Sequence, residues 1–339
     1  MTLKVLTIGA GYFAALHVEA WMRNPDTSLI GLVDRDPHKA QALTKNAAPG
    51  TPSFQDAQTA MDATKPDIID IATPPDTHAE LIALADRARP KAIICQKPFC
   101  GTLQNAQETV KATQSLLIVH ENFRFQPWYR ALKSELAKAT IGRPYQLTFR
   151  LRTGDGQGPD AYLARQPYFQ KMDRFLIHET GIHYIDTFRY LMGEPTGVFA
   201  DLRRLNPTIR GEDSGLVIFQ FDDDRRAVFD GNRLADHRAD NRRLTMGEAT
   251  LEGAKGTLDL DGYGRVFLRR TGETAKTQLE FDLNATVFGG DCVYAFQKHV
   301  TDHLTKGAQI ETRAEDYLRN MEIEEAIYAS AKAGRVMRL

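Results

Sequence analysis

Three features of this chain predict a doubly wound α/β unit followed by an α+β unit. Short apolar strands alternate with helical patterns over the first 120 residues. A glycine-rich turn comes directly after the opening strand. Beyond about residue 121 strands succeed one another with few helices between them, which argues a largely antiparallel open sheet. At 339 residues the chain exceeds one ordinary core, so two domains are expected, 1–121 and 122–339.

Leu3-Lys4-Val5-Leu6-Thr7-Ile8 is apolar and β-branched and reads as the first strand. It breaks into Gly9-Ala10-Gly11-Tyr12-Phe13-Ala14 and a helix-like stretch, and a second apolar run, Leu29-Ile30-Gly31-Leu32-Val33, ends on Asp34. Strand, glycine turn, helix, strand, acid is the Rossmann unit that cradles a dinucleotide. Gly9 permits the tight turn, and Gly11 lets the backbone approach a pyrophosphate on the helix N-terminus. Tyr12 and Phe13 lie in the same turn and join the cofactor-binding set. Asp34 stands 23 residues past Gly11, near the spacing at which a carboxylate accepts from an adenosine ribose. That carboxylate repels a 2′-phosphate and favours NAD. Arg35 beside it offsets the repulsion and leaves NADP open.

Asp67 to Ala72 reads as a strand, His78 to Arg89 as a helix, and Lys91 to Cys95 as the next strand. Leu103 to Thr113 is helical, and Leu116 to Val119 forms a sixth strand. Near-continuous apolar strands argue a parallel sheet covered on both faces, whose ligands bind beyond the carboxyl ends. Thr73, Pro74 and His78 follow one such end; Gln96 and Lys97 follow another. All five are expected at the cofactor.

In the second half Pro127 to Ala139 reads as a helix, Pro144 to Arg152 as an alternating strand, and 154–159 as a loop. One strong helix spans about Ile177 to Met192. Strands follow near 197–205, 214–222, 225–231, 243–252 and 263–270, and helices near 291–305 and 313–333 close the chain.

Composition narrows the function. A formal net charge of −1 supplies no field for nucleic acid or an anionic membrane. Three cysteines, Cys95, Cys100 and Cys292, have no metal-ligand spacing, and an odd count fits a reducing compartment. No metal is expected. No apolar stretch reaches membrane-spanning length, and a fold beginning at residue 3 leaves no room for a signal peptide. A soluble, cytoplasmic protein is the expectation.

Chemistry concentrates in three segments. Gln96-Lys97-Pro98 sets a lysine at a strand end, held extended by Pro98. His120-Glu121-Asn122-Phe123-Arg124-Phe125 ends the sixth strand. In His178-Glu179-Thr180-Gly181-Ile182-His183-Tyr184-Ile185-Asp186, helical spacing puts Glu179, His183, Asp186 and Tyr190 on one face. Ile182, Ile185, Phe188 and Met192 take the other and should pack on the sheet. Taken singly, the lysine is a surface charge and the histidine a structural one, as His38, His237, His299 and His303 are read. Their conjunction behind a dinucleotide turn points to catalysis.

At this point the chain resembles the glucose-fructose oxidoreductase/inositol dehydrogenase family of NAD(P)-dependent oxidoreductases. The carriers are Gly9-Ala10-Gly11, Ala72-Thr73-Pro74-Pro75-Asp76-Thr77-His78, Lys97-Pro98 and Gly181-Ile182-His183-Tyr184-Ile185-Asp186. Gln96 replaces the family's usual Glu before Lys-Pro, and Glu179 its usual Asp four residues before the histidine. The resemblance implies hydride transfer between the nicotinamide and a secondary alcohol or ketone of a sugar, polyol or cyclitol. His183 is then the general base, with an ordinary pKa near ~6.5. Lys97 hydrogen-bonds the reacting oxygen, and Glu179 orients the imidazole. Lys97, His183, Asn122, Arg124, Arg165, Tyr168 and Asp186 form the substrate set, with Asp155, Asp160 and Arg174 in the same loop. The resemblance also implies a homodimer or homotetramer. Two other readings stand beside it: a non-catalytic NAD(P)-binding regulatory protein, and an NAD-dependent glycosidase that recycles its cofactor.

Overall fold

The computed structural model describes residues 2–339. In the first half, strands β1 (Leu3–Ile8), β2 (Thr27–Val33), β3 (Ser53–Phe54), β4 (Ile68–Ile71), β5 (Ala92–Gln96) and β6 (Leu116–His120) alternate with helices α1 (Ala14–Arg23), α2 (Pro37–Ala47), α3 (Ala57–Thr64), α4 (His78–Arg87) and α5 (Leu103–Ala112). The strands form a parallel sheet in the order β3-β2-β1-β4-β5-β6. Every residue of β4 and β5 is buried, as the apolar runs require of a doubly covered sheet. Order reverses between β1 and β4, so the glycine turn after β1 and Thr73 after β4 sit at the topological switch point. Asp36, Asp56 and Thr102 cap α2, α3 and α5 through side-chain oxygens, the local reason those helices start where they do.

The second half holds α6 (Pro127–Ala137), β7 (Pro144–Leu151), α7 (Ile182–Met192), β8 (Gly197–Arg203), β9 (Ser214–Gln220), β10 (Arg226–Asn232), β11 (Gly247–Gly253), β12 (Gly256–Leu260), β13 (Val266–Arg270) and β14 (Thr277–Gln278). After these come α8 (Cys292–Lys306), α9 (Ala314–Ala333) and β15 (Met337–Arg338). Its strands lie in the order β14-β13-β12-β11-β7-β10-β9-β8-β15, antiparallel except for the pair β7–β10. This is the largely antiparallel open sheet expected. Leu147, Phe149 and Leu151 of β7 and Val217 and Phe219 of β9 are buried, the period-two signature of a sheet covered on one face.

The domain boundary needs a correction. Among the described residues, one compact unit comprises those up to Asn122 together with Val293–Arg319; the other comprises Phe123–Cys292 and Asn320–Leu339. The returning segment is tied into the first unit by hydrogen bonds that no local pattern reveals. Gln297 Nε2 donates to the His17 carbonyl (3.1 Å), Asn24 Nδ2 to Thr301 Oγ1 (3.0 Å), and the Val119 N–H to the Thr312 carbonyl (3.0 Å).

The long helix also differs from expectation. Residues Leu176–Gly181 form a π-helical turn, and only Ile182–Met192 is α-helical. Both faces of α7 are buried through Phe188, His183 and Asp186 included. Tyr184 stacks on Phe149 (4.1 Å between centroids), and Phe188 packs edge-on against Phe219 (5.3 Å), so these rings carry the contact with the sheet.

Candidate active site

The dinucleotide cradle is built by the ends of β1 and β2. Gly9 has φ +112°, and a Cβ there would fall 2.5 Å from the Ala72 carbonyl oxygen, so only glycine fits. A Cβ on Gly11 meets nothing within 4 Å; the space beside that turn is open. No side chain caps α1, whose N-cap is Phe13, leaving the positive end of its dipole at the turn. Asp34 Oδ2 accepts from Ala10 N–H (2.8 Å) and Oδ1 from Asp36 N–H (2.9 Å). The carboxylate is braced across the turn and retains lone pairs for ribose hydroxyls. Tyr12 and Arg35 are exposed beside it. These residues fit a dinucleotide: Gly11 and α1 would hold the pyrophosphate, and Asp34 the ribose. Such a cofactor supplies the hydride acceptor or donor.

Two residues expected on the cofactor turn inward instead. His78 is fully buried, and its Nε2–H donates to the Thr73 carbonyl (2.8 Å). Desolvation lowers its pKa, so the ring is a neutral brace for the Thr73–Pro74 turn. Thr73 Oγ1 is further tied to Thr77 Oγ1 (2.7 Å). Gln96 is buried; its Oε1 accepts from the Lys97 N–H (2.7 Å), and its Nε2 faces His17 Nε2 (3.0 Å). Lys97 itself is half-buried at the end of β5. Asn122 is 1% exposed, and its Nδ2 has no partner among the described residues.

In the second unit His183, buried at the start of α7, lies flat on Phe123, with centroids 3.8 Å apart and planes 4° from parallel. Face stacking fixes the imidazole plane. Asp186, one turn on, accepts from Arg124 Nε and Nη2 (2.7 Å each) and from Asn320 Nδ2 (2.9 Å). Two residues assigned to substrate are thus spent largely on each other, and Asp186 acts first to hold Arg124. Tyr190, on the same face, packs against the guanidinium groups of Arg124 and Arg130.

Glu179 lies in the π turn, where i→i+5 bonding sets its phase relative to His183 differently from a continuous α-helix. Its field reaches Tyr168: burial and then the Glu179 carboxylate push that phenol up to about 12. Arg165 donates to Asp155 Oδ2 (3.3 Å) and Gln166 Oε1 (3.0 Å). Asp155 is in turn held by Arg233, through Nη2 (2.7 Å) and Nε (3.2 Å), and Arg233 Nη1 donates to Thr180 Oγ1 (3.0 Å). Arg233 therefore joins the loop bearing Arg165 and Tyr168 to the turn bearing Glu179.

Sequence reasoning missed Arg233, Glu212, His17 and Asp70. Glu212 Oε1 accepts from the N–H groups of Phe175 and Ile177 (3.1 Å each) and from the Tyr328 hydroxyl (2.6 Å), so a carboxylate seats the start of the π turn. Nothing local marks it. Asp70 did carry a signal: a charge inside the apolar run Ile68–Ile71 demands buried donors, and it finds His17 and Trp21.

With this geometry in place, comparison with known proteins identifies the class. The family described as "Oxidoreductase family, NAD-binding Rossmann fold" matches residues 3–121, and the GFO/IDH/MocA C-terminal domain matches 129–259. The D-apiose dehydrogenase of Paraburkholderia graminis is 31% identical over 99% of this chain and 89% of its own length. The inositol 2-dehydrogenase of Rhizobium meliloti is 27% identical over 86% of this chain and 91% of its own. A crystal structure of an oxidoreductase from Agrobacterium radiobacter, in complex with NAD+, L-tartaric acid and magnesium, superposes with a TM-score of 0.88 at 28% identity, covering 100% of this chain and 98% of that one. The chain belongs to the GFO/IDH/MocA family of NAD-binding oxidoreductases.

Proposed function

We propose that this protein is an NAD(P)-dependent dehydrogenase or reductase that interconverts a secondary alcohol and a ketone on a sugar, polyol or cyclitol. The observation that carries the reading is the open cradle: Gly11 with space beside it, an uncapped α1 and a braced Asp34. The relatives acting on D-apiose and inositol supply the substrate class. His183 takes the alcohol proton, Lys97 hydrogen-bonds the same oxygen as negative charge develops on it, and Glu179 orients the imidazole. Asn122, Arg124, Arg165 and Tyr168 are the residues we assign to substrate binding, with Arg124 held by Asp186. Asp34 favours NAD over NADP.

The test is absorbance of NADH during incubation with a sugar and cyclitol panel that includes D-apiose and myo-inositol. A substrate-dependent rise supports the proposal. Tight NADH binding with no turnover on any member favours a regulatory protein, and release of free sugar from a glycoside without net NADH favours a glycosidase. Self-association of copies through the open sheet is part of the proposal. Phe199, Ile218, Val228 and Thr148 are cross-strand neighbours on its outer face and only partly covered within the chain. Sedimentation equilibrium checks this, and a monomer at micromolar concentration refutes it.

A further inference from the structure

The polar chain beneath Lys97 has only one possible direction. A backbone N–H can only donate, so the Gln96 atom facing the Lys97 N–H must be its oxygen (2.7 Å). That turns the Gln96 amide nitrogen, also only a donor, toward His17 Nε2 (3.0 Å), which must present its lone pair. The His17 proton therefore sits on Nδ1, where it donates to the Asp70 carboxylate (2.9 and 3.1 Å to its two oxygens). Trp21 Nε1 gives Asp70 a further donor (2.7 Å). Reversing the amide would oppose donor to donor at Lys97, and a proton moved to His17 Nε2 to meet the reversed amide would leave the Nδ1 lone pair against the Asp70 carboxylate.

His17 and Asp70 are fully buried, and the His17 ring is clamped by stacking on His120 (4.0 Å) and by the edge of Phe13 (5.5 Å). Such a network is costly unless every member is satisfied, and when satisfied it is rigid. Its two ends are informative. His17 belongs to α1, the helix whose N-terminus forms the cradle, and Gln96 ends at the main chain of Lys97.

We propose that Asp70, His17 and Gln96 are positioning residues that fix the main chain at Lys97 relative to the cofactor helix. This rests on the reading of Lys97 as a catalytic residue. None of the three contributes a reacting atom; they act through the lysine.

The experiment compares His17→Phe, His17→Gln and Lys97→Ala in the full chain, together with the ¹⁵N spectrum of histidine-labelled wild type. His17→Phe keeps a flat ring but removes the acceptor, and lowers kcat ~10- to 100-fold, the scale of an ångström-level misplacement, while NADH affinity stays near wild type. His17→Gln returns an acceptor oxygen to Gln96 and recovers most of the lost kcat. The resonance that disappears in His17→Gln belongs to a ring protonated at Nδ1 with a lone pair at Nε2. A proton on Nε2 overturns the proposal. Folded His17→Phe with wild-type kcat, beside an inactive Lys97→Ala, overturns the relay alone. Wild-type kcat in Lys97→Ala overturns the reading of the lysine and with it the relay's purpose. Should His17→Phe not fold, the wild-type spectrum and His17→Gln decide.

Discussion

Replacing Asp155 by Ala should be among the most costly single changes in the second unit. Its partner Arg233 is 2% exposed, with its guanidinium carbon about 5 Å from the ring centroids of Tyr162, Phe169 and Phe175. Removing the carboxylate takes away two hydrogen bonds to that guanidinium, through Nε and Nη2, together with its counter-charge, and leaves the one to Thr180. Stranding a buried charge costs about 3–5 kcal/mol. The Asp155 side chain is 28% exposed, so water can partly replace it and about 3 kcal/mol is expected. For a unit of this size that is about 6–12 °C in Tm.

The pH dependence has a definite sign. Burial alone would raise the Asp155 carboxyl, but Arg233 outweighs it and holds the group below its ordinary range. The ion pair's contribution is therefore complete above the unfolded carboxylate value near ~3.9 and fades as pH falls through the lower folded value. Urea denaturation of wild type and Asp155→Ala between pH 6 and pH 3 should show a difference that is constant at first and shrinks at the acid end. A double-mutant cycle with Arg233→Met isolates the pair. A loss below about 1 kcal/mol, or a difference that shrinks near neutrality instead, would refute the assignment of a buried pair dominated by Arg233.

Lys97→Ala should keep NADH binding, measured by fluorescence, and lose roughly two to four orders of magnitude in turnover; a near-wild-type kcat would make the lysine a bystander. His183→Ala should remove most turnover together with the limb of the pH profile in which alcohol oxidation rises as one group deprotonates. Glu179→Gln should cost less and shift that limb to lower pH, and a limb unchanged in His183→Ala would transfer the base to another group. Asp34→Ala should narrow the ratio of kcat/KM for NAD over NADP, and an initial tenfold preference for NADP, about 1.4 kcal/mol, would contradict the role given to its carboxylate.

The cofactor half was legible because its signals are local. Gly9 and Gly11, the apolar runs of β1, β4 and β5, and Asp34 at the end of β2 each announce themselves within a few residues. Two-residue strands such as β3 and β15 have no period to detect. The π turn at Leu176–Gly181 was invisible because apolar spacing cannot separate i→i+4 from i→i+5 bonding over six residues. The candidate site divides the same way. His183 and Lys97 are candidates that residue type and motif alone put forward. That Asp186 is occupied by Arg124, or that Gln96 faces His17, depends on partners 62 and 79 residues away. Long-range satisfaction of polar groups has no signature in a single sequence unless, as at Asp70, a charge stands where only apolar residues belong.

The return of residues 293–319 to the first unit bears on how the molecule is made. A ribosome finishes β6 long before it reaches α8, so the emerging cofactor half must wait with the Val119 N–H and the His17 carbonyl lacking their eventual partners, Thr312 and Gln297. The intervening stretch 123–292 is synthesised during that wait. Cutting the gene after residue 121 would therefore yield an unfinished half: His120 would lose the Phe296 ring that packs 4.3 Å from its own, and Phe99 its contact with Tyr317. Exchanging cofactor modules between relatives requires transplanting two separate pieces of chain, the second from near its far end.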